Sequence, residues 1–397
     1  MIHLIHKNKV RYLIGNKITP LPTEPFSKIV CEFLDEISKL IMKDTKSRLY
    51  PDLISFAFWC RYTNLVKIKN SAIDDNVRIG KGVVFHITPS NLPINSLYSL
   101  VFGLLSGNSN IVKLPSKKFQ QIDLFIYHFN KLTKKRKYFR FKYSILLIQY
   151  NSDDFITKYF SDISDIRMIW GGDNTIQKIK KINSKPRCLD LSFADRYSIG
   201  IINSEEICKS SRKKISNLAS NFYNDTYIYD QNACSSPHLI IWYGKKSNIA
   251  RKIFWGELNN IVKKKYLISD SVAIEKYNEM ISYLIKLKIA KLEEYENNIY
   301  CIKLKKMPKK LHFLRGRYGI FFETYVNKID DFANKIDDKF QTLTHYGMKD
   351  KLLRDFVIKN HLKGIDRIVP IGKALDMSHI WDGVDLIKIM SRIVKIN

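Results

Sequence analysis

Between residues 82 and 182, short apolar runs rich in β-branched residues alternate with segments whose apolar residues recur every three or four positions. The runs predict buried strands, and the segments predict amphipathic helices. We assign four strands and four helices, which are strands 82–88, 110–114, 143–149 and 165–170 and helices 93–105, 116–132, 153–160 and 175–182. Such alternation is typical of βαβ units in a mostly parallel sheet. We therefore expect a doubly wound α/β domain of the nucleotide-binding kind.

The flanking regions follow the same pattern less regularly. We predict helices and strands there as well, namely helices 27–42, 53–66, 208–222, 245–262 and 272–287 and strands 198–203 and 237–243. Residues 68–83 contain short alternating pieces interrupted by Asp, Asn and Gly, which predicts a β-hairpin or an excursion from the main body. Residues 288–310 are charged and irregular, and we interpret them as a solvated helix end or an exposed loop.

Composition limits the classes of protein to which the chain can belong. A length of 397 residues with 45% hydrophobic content suggests two or three globular domains. The formal net charge is +29, which raises the question of a nucleic-acid or anionic-membrane partner. The basic residues, however, are spread through segments rich in Ile, Asn and Tyr, the residue set that AT-rich codons supply. We interpret most of this charge as a solvated surface and expect no specific nucleic-acid partner.

Cysteine spacing and apolar run length indicate the compartment. The six cysteines form no CxxC motif and no metal-ligand spacing with His, so we expect no metal and a reducing environment. The N-terminus lacks the apolar core of a signal peptide, and no apolar run approaches the ~18 residues of a membrane span. We expect a soluble cytoplasmic protein without a transmembrane segment.

Three predicted strands end in candidate binding segments. The segment 86–93 (HITPSNLP) follows the first strand, and its Asn91 either stabilises an oxyanion with a side-chain N–H or merely caps the next helix. Lys113 ends the second strand and precedes Ser116 and Lys117, a group that suits a ribose or phosphate as well as a plain basic turn. The segment 170–173 (WGGD) permits close approach of a cofactor to the backbone, although it is not the GxGxxG fingerprint.

Cys234 is the candidate nucleophile. It lies in the polar segment 230–238 (DQNACSSPH), just before a predicted apolar strand. Small and amide side chains around a cysteine suit a reactive thiolate, whereas a buried structural cysteine is the alternative. His238 lies four residues further on, where it either lowers the pKa of the thiol or plays a structural part.

Six segments together resemble the LuxC-type acyl-CoA reductases, a family similar in fold to the aldehyde dehydrogenase superfamily. They occur in matching order from about residue 70 to the C-terminus, and they are 85–93 (FHITPSNLP), 104–117 (LLSGNSNIVKLPSK), 170–173 (WGGD), 195–198 (DRYS), 230–238 (DQNACSSPH) and 366–372 (DRIVPIG). The resemblance implies a Rossmann-like cofactor domain, an α/β catalytic domain and a small oligomerisation hairpin. We accordingly expect domains 1–203 and 204–365, a hairpin at 68–84, a C-terminal segment 366–397 that returns to the domain interface, and a homo-oligomer.

The resemblance also implies roles for individual residues. Cys234 matches the nucleophile that attacks an acyl thioester, and Asn91 matches the oxyanion-hole asparagine. Lys113, Ser116 and Lys117 match the adenosine-ribose region, where a basic residue favours the extra phosphate of NADPH. The resemblance places three residues of the 170–173 segment against the cofactor, which are Trp170, Gly171 and Gly172. The carboxylate that holds the nicotinamide ribose has two candidates, Glu323 and Asp338, of which we favour Glu323.

One departure from the wider superfamily indicates the direction of the reaction. The oxidising enzymes carry a Glu-Leu-Gly-Gly segment upstream of the nucleophile, and its Glu activates water to hydrolyse the acyl-enzyme. This chain has LDLSF at 189–193 instead. The resemblance therefore implies reduction of a long-chain acyl-CoA to a fatty aldehyde with NADPH. Two alternatives stay open: an acyl group delivered by an acyl carrier protein or an acyl-protein synthetase partner, and a non-catalytic basic binding protein on the same fold.

Overall fold

The computed structural model describes residues 9–89 and 94–396. These residues form two compact units. The first contains the described residues up to Ala194 together with those from Ser378 onward, and the second runs from Asp195 to Met377. None of the described helices is both long and apolar enough to cross a membrane.

The strands of the described chain are short, and most of them are buried. In chain order they are β1 Arg11–Ile14, β2 Arg78–Gly80, β3 Val83–Ile87, β4 Ser109–Leu114, β5 Ile145–Gln149, β6 Ile166–Trp170, β7 Leu189–Phe193, β8 Tyr197–Asn203, β9 Pro237–Tyr243, β10 Ile289–Tyr295, β11 Ile299–Leu304, β12 Ile320–Val326, β13 Phe340–Tyr346, β14 Arg367–Pro370, β15 Ile380–Trp381, β16 Val384–Asp385 and β17 Ser391–Ile393.

The helices mostly connect these strands. In chain order they are α1 Lys28–Lys43, α2 Pro51–Trp59, α3 Tyr62–Ala72, α4 Ile94–Leu105, α5 Gln120–Leu132, α6 Phe141–Ser144, α7 Asp154–Asp162, α8 Asp173–Lys180, α9 Ser204–Lys209, α10 Arg212–Thr226, α11 Ser247–Lys265, α12 Asp270–Lys286, α13 Asp350–Lys359 and α14 Leu386–Met390. Short 3-10 helices include Arg136–Tyr138 and Tyr227–Tyr229.

The first unit contains a six-stranded sheet in the order β1-β5-β4-β3-β6-β7. All neighbours in this sheet run parallel except β1, which pairs antiparallel with β5. From β3 the chain proceeds to β4 and β5 on one side, and then returns to β6 and β7 on the other. The carboxyl ends of β3 and β6 therefore flank the point where strand order reverses, which is the usual ligand position in such sheets. The doubly wound parallel sheet expected from the sequence is confirmed.

The second unit contains a seven-stranded sheet in the order β10-β11-β12-β9-β8-β13-β14. Only β10 is antiparallel to its neighbour, β11. Its central strands are buried along most of their length because helices cover both faces of a parallel sheet. Two buried clusters result, one around Phe322 and Tyr197 and the other around Trp242, Phe254 and Trp255.

The unit boundaries differ from those we expected at residues 203 and 365. Strand β8 belongs to the second unit because it pairs with both β9 and β13. The C-terminal segment from Ser378 belongs to the first unit, where β17 pairs with β2 and Asn108 donates to the carbonyl of Met390 at 3.0 Å.

The hairpin expected at 68–84 is not present. Helix α3 extends to Ala72, and β2 pairs antiparallel with the C-terminal strand β17 instead of folding back on β3. Gly80 and Gly82 permit this arrangement: a Cβ on Gly80 would meet the carbonyl oxygen of Gly107 at 2.1 Å, and Gly82 has a φ of +138°. The oligomerisation role that we expected for residues 68–84 depended on a hairpin, and the structure does not support it.

Two further expectations need correction. The single helix predicted over 53–66 is two helices, α2 and α3, separated at Cys60 and Arg61. The region 288–310, expected to be irregular, contains the antiparallel pair β10 and β11. Strand β10 lies at the edge of the sheet and carries Lys291, Glu293 and Glu294, and such charge in a sequence favours a solvated loop over a strand.

Candidate active site

Cys234 lies in a turn at the amino end of β9, in the second unit. The turn follows the 3-10 helix Tyr227–Tyr229 and begins with two consecutive residues in the left-handed region, Asp230 (φ 53°) and Gln231 (φ 59°). Residues other than glycine rarely adopt this conformation, and they tend to do so at functional sites where neighbouring groups hold them.

Buried hydrogen bonds hold the start of this turn. The side-chain amide of Gln231 accepts from the backbone N–H of Gly319 at 2.8 Å and donates to the carbonyl of Ile320 at 3.2 Å. The carboxylate of Asp230 accepts from the hydroxyl of Tyr266. The turn that carries the thiol is thus tied to the segment just before β12 and to the end of α11.

The residues on either side of the sulfur are held as well. The hydroxyl of Ser198 donates to the main-chain carbonyl of Cys234 at 2.6 Å. The hydroxyl of Ser236 donates to the carbonyl of Asp225 at 2.7 Å. Cys234 itself is half-buried, whereas Ala233, Ser235 and the other flanking residues toward β9 are buried. A partly accessible thiol on an immobilised backbone is the arrangement that a nucleophilic cysteine requires.

Asp225 links the same turn to the loop after β14. Its carboxylate accepts from the backbone N–H groups of Gly372 (2.6 Å) and Ala374 (3.0 Å) and is 1% exposed. Burial raises the pKa of Asp225 to about 7, an effect that these two hydrogen bonds partly offset. Sequence analysis missed this residue, because Asp225 lies three residues beyond the helix predicted at 208–222 and carries no signal that distinguishes it from a surface carboxylate.

His238 is a structural residue in this arrangement. It is 2% exposed, its Nδ1 lies 3.1 Å from the carbonyl oxygen of Gly316, and its ring stacks on Tyr197. Burial, with a contribution from the charge of Arg315, lowers the pKa of His238 to about 3. The ring is therefore neutral near pH 7 and supplies no positive charge to stabilise a thiolate.

Glu323 lies inside the core of the second unit. Its carboxylate is 1% exposed and accepts from the indole N–H groups of Trp242 (2.6 Å) and Trp255 (2.8 Å). The guanidinium of Arg251 also donates to both carboxylate oxygens, and it reaches Glu293 at 3.1 Å. Burial and this complete set of partners explain the conformation of Glu323 without a ligand, so its placement does not support the ribose-binding role that we favoured.

Asp338, the other carboxylate considered for the ribose, has a different environment. It is exposed and lies two residues before β13. Strands β9 and β13 run parallel to the β8 strand between them, so the amino ends of both lie along one edge of the sheet. Asp338 and Cys234 therefore share an edge of the sheet.

The first unit carries the candidate cofactor residues at the carboxyl ends of its parallel strands. Lys113 pairs in register with Ile87 of β3, and its ammonium lies 4.8 Å from the ring centre of Tyr150. Burial lowers the pKa of Lys113. Ser116 and Lys117 follow on an exposed turn, and Lys117 lines a pocket at this edge. The remaining walls of this pocket come mainly from β1, the end of β4 and the start of α5.

Trp170, Gly171 and Gly172 follow at the end of β6. The indole of Trp170 stacks on Phe193 with ring centres 4.2 Å apart. A Cβ added to Gly172 would meet no atom within 4 Å, so the backbone there is open to a ligand immediately before the N-terminus of α8. The open turn, the helix N-terminus and the cations after β4 fit the phosphates and ribose of a nicotinamide dinucleotide.

A buried polar chain, absent from the sequence predictions, runs beneath this edge. The indole N–H of Trp170 donates to Ser99 Oγ at 3.0 Å. Ser99 Oγ in turn lies 2.7 Å from Nδ1 of His86. The other ring nitrogen of His86, Nε2, lies 2.9 Å from Asn110 Oδ1. Burial lowers the pKa of His86 to about 4. Because Asn110 Oδ1 only accepts, His86 carries its proton on Nε2 and accepts from Ser99. A helical Gly103 makes room for this contact, since a Cβ there would lie 1.8 Å from Asn110 Oδ1.

Asn91, the candidate oxyanion residue, lies outside the described residues. Its neighbour Thr88 is described, and its hydroxyl donates to the carbonyl of Lys113 at 2.7 Å. Among residues 9–89 and 94–396, no group of three or more His, Cys, Asp or Glu side chains is placed to hold a metal ion.

Comparisons with known proteins agree with the motif resemblance. The family model of the LuxC acyl-CoA reductases matches residues 69–393. The long-chain acyl-protein thioester reductase of Vibrio harveyi is 24% identical over 298 residues, which cover 74% of this chain and 59% of that protein. The reductase of the same name from Aliivibrio fischeri is 22% identical, with coverage of 75% and 61%. The matched region is thus about three fifths of the length of these relatives.

Solved structures show the same fold at low identity. A 1-pyrroline-5-carboxylate dehydrogenase from Thermus with bound NAD superposes with a TM-score of 0.61 and 12% identity, covering 92% of this chain and 80% of that one. A 3,6-anhydro-L-galactose dehydrogenase in complex with NAP gives a TM-score of 0.59 and 12% identity, with coverage of 88% and 80%. The chain has the aldehyde dehydrogenase fold, and it belongs to the LuxC family of acyl-CoA reductases.

Proposed function

We propose that this chain reduces a long-chain acyl group, delivered as a thioester on a protein, to a fatty aldehyde, with Cys234 as the nucleophile. The observation that carries the proposal is the immobilised turn around Cys234, in which Ser198, Gln231 and Ser236 each make a buried or partly buried hydrogen bond. Family membership supports the reaction class, and the curated relatives support the donor.

The first step is transfer of the acyl group to the enzyme. The sulfur of Cys234, as thiolate, attacks the carbonyl carbon of the donor thioester. A new C–S bond forms, the bond to the donor sulfur breaks, and the donor leaves as a thiol after taking up the proton that Cys234 released. His238 remains neutral near pH 7, so this step does not use it as a cationic partner.

The oxyanion of this step requires N–H donors. We assign the role to the side-chain amide of Asn91 and the backbone N–H of Cys234, following the resemblance. The hydrogen bond from Ser198 to the carbonyl of Cys234 fixes the orientation of the peptide plane on the other side of this residue. Donors held in advance stabilise developing charge without reorganising, which is the source of their catalytic effect.

The cofactor side of the reaction belongs to the first unit. Lys113, Ser116 and Lys117 would hold the adenosine ribose and its phosphate, and Trp170, Gly171 and Gly172 would lie against the remainder of the dinucleotide. When bound, NADPH would supply the hydride that converts the acyl-enzyme to the aldehyde. The exposed ammonium of Lys117 beside the pocket favours the 2′-phosphate of NADPH over the bare ribose of NADH.

The position that supplies a water-activating Glu in oxidising relatives is occupied differently here. Asp190 of β7 accepts from Arg167 Nε at 2.6 Å and from Nη2 at 2.7 Å. Both oxygens of this carboxylate are engaged by the guanidinium of Arg167, so neither is free to bind and activate a water molecule. Without such a base, the acyl-enzyme is protected from hydrolysis and remains available for reduction.

The acyl donor is the part of the proposal where we depart from the sequence prediction. The motifs alone led to acyl-CoA, and the family description also names it. The curated relatives are long-chain acyl-protein thioester reductases. We therefore place the acyl-protein donor first and acyl-CoA second.

A comparison of donors tests this order directly. We would measure NADPH oxidation with tetradecanoyl groups presented either on a purified acyl carrier protein or on coenzyme A, with the wild-type chain and with Cys234→Ala. A higher kcat/KM for the protein-bound donor, abolished by Cys234→Ala, supports the proposal. A higher kcat/KM for tetradecanoyl-CoA would reverse the order of the donors. Undiminished turnover in Cys234→Ala would refute the nucleophile.

A further inference from the structure

The connection between α5 and β5 is rich in lysine and arginine, and none of these residues has a role in the proposed reaction. Seven of the twelve residues from 131 to 142 are lysine or arginine. They are Lys131, Lys134, Lys135, Arg136, Lys137, Arg140 and Lys142. We call residues 131–143 the basic turn.

Most of this charge is not neutralised by the protein. Within the described part of the chain, only two of the seven cations lie within 4.0 Å of a carboxylate: Lys135 (4.0 Å from Glu36) and Lys137 (2.8 Å from Glu32). The basic turn therefore presents a net positive field to solvent.

Another lysine-rich stretch in the same unit behaves differently. Lys178 and Lys185 lie 3.1 Å and 2.6 Å from the carboxylates of Asp154 and Asp165, respectively. An AT-rich coding bias is a sufficient explanation for lysines that form such surface ion pairs with carboxylates. It does not explain why the basic turn combines unpaired cations with exposed aromatic rings.

The aromatic residues of the basic turn alternate between core and solvent. Tyr138 and Phe141 point inward, and their ring centres lie 5.8 Å and 3.9 Å from that of Phe33 in α1. Phe139 and Tyr143 point outward and are 45% and 44% exposed. The inward pair anchors the turn to the core, so the outward pair is presented on a fixed backbone and loses little conformational entropy on binding.

The two outward rings form a compact apolar wedge among the cations. Their centres are 5.7 Å apart in an edge-to-face arrangement, and the ammonium of Lys142 lies 4.9 Å from the centre of Phe139. Rings that stack with nucleic-acid bases offer open parallel faces. This wedge instead combines exposed apolar rings with cations on the same turn, the chemistry of residues that insert at a charged lipid interface.

We propose that the basic turn docks the first unit on an anionic lipid surface. The cations would pair with lipid phosphates while Phe139 and Tyr143 enter the headgroup region. The inference stands on charge and exposure and does not depend on the proposed reaction.

Vesicle sedimentation of the full chain tests the proposal. The probes are phosphatidylcholine vesicles with and without 30% phosphatidylglycerol, at 0.15 M NaCl. We expect at least tenfold stronger partitioning onto the anionic vesicles. Each basic residue near such a surface contributes about 1 kcal/mol, or about fivefold, so Lys134→Gln/Lys135→Gln/Arg136→Gln should weaken partitioning by at least tenfold. Phe139→Ser/Tyr143→Ser should also weaken partitioning onto the anionic vesicles. Because this variant keeps the cations, its partitioning should still decrease as the salt concentration rises.

Matched controls separate the basic turn from overall charge. Arg212→Gln/Lys213→Gln/Lys214→Gln removes three consecutive exposed cations from α10, and Tyr277→Ser removes an exposed ring from α12. Both controls should change partitioning less than twofold. Equal losses in the control and test variants would overturn the proposal. It would also be overturned by equal affinity for neutral and anionic vesicles, or by tighter binding to random duplex DNA than to anionic vesicles at the same salt.

Discussion

The hydroxyl of Ser198 donates a 2.6 Å hydrogen bond to the main-chain carbonyl of Cys234. The hydroxyl oxygen of Ser198 also accepts a 3.2 Å hydrogen bond from the backbone N–H of Thr342. One side chain in β8 thus connects the turn of the nucleophile to strand β13. Through this contact the parallel sheet determines where the thiol is held.

Ser198→Ala should slow acyl transfer more than it weakens folding. The loss of one hydrogen bond costs about 1 kcal/mol of stability, whereas misplacing the attacking sulfur should lower the acylation rate about tenfold. Single-turnover acylation and thermal unfolding measure the two effects separately. Ser271→Ala, at an exposed position in α12, serves as the control. An acylation rate equal to wild type would show that this contact does not position Cys234.

Lys117→Glu should change the choice of cofactor. A carboxylate at this position repels the 2′-phosphate of NADPH and can accept from the ribose hydroxyls of NADH. We expect the ratio of kcat/KM for NADPH to that for NADH to fall at least tenfold. Lys67→Glu makes the same charge change at an exposed position in α3 and should leave the ratio unchanged. An unaltered ratio in Lys117→Glu would remove this residue from the cofactor site.

Glu323→Gln should lower stability and leave cofactor affinity intact. Neutralising Glu323 leaves the buried Arg251 with only Glu293 as an acidic partner, so we expect the free energy of unfolding to fall by about 3 kcal/mol. Asp338→Asn changes an exposed carboxylate in the same unit and should leave the melting temperature unchanged. Fluorescence titration and thermal melts distinguish the two. Weaker NADPH binding by a fully stable Glu323→Gln would restore Glu323 to the ribose site.

His238 should contribute to acid sensitivity. Because burial lowers the pKa of His238 to about 3, the unfolded chain takes up a proton below about pH 6.5 while the folded chain does not. The stability that this residue contributes is therefore present above pH 6.5 and is lost progressively as the pH falls toward 3. His238→Phe, which preserves stacking on Tyr197, should flatten the decline in melting temperature between pH 6.5 and 4. His361→Asn is the exposed control, and an unchanged slope in His238→Phe would contradict the account.

Periodicity predicted the four inner strands of the first sheet, β3 to β6, because each is a short apolar run followed by a helix. The outer strands β1 and β7 were not predicted. Strand β9 was predicted with its observed bounds, Pro237–Tyr243, and β3 within one residue at each end. Strand β10 was missed because it is an edge strand whose charged residues give it the composition of a loop. Strand β11 is buried, but charged segments flank its short apolar run on both sides in the sequence. The hairpin at 68–84 was wrong because β2 pairs with β17, more than 300 residues later, and local sequence does not encode such long-range pairing.

The residues of the candidate site were also only partly predictable from the sequence. The motif at 230–238 identified Cys234. Ser198 lies in the motif at 195–198, but the sequence assigned it no role, and Asp225 lies in none of the quoted motifs. Their contacts with the turn of Cys234 become visible only when distant strands and loops come together. Glu323 was favoured over Asp338 on resemblance alone. Its partners Trp242, Trp255 and Arg251 come from β9 and α11, so only the packed structure shows that this carboxylate is already fully engaged.

The most direct test of the central claim is the intact mass of the protein after incubation with a tetradecanoyl thioester on acyl carrier protein in the absence of NADPH. We predict one added tetradecanoyl group, located on Cys234 by peptide mapping, absent from Cys234→Ala and released as tetradecanal when NADPH is added. An acyl group on another residue, or aldehyde formation by Cys234→Ala at the wild-type rate, would contradict the account.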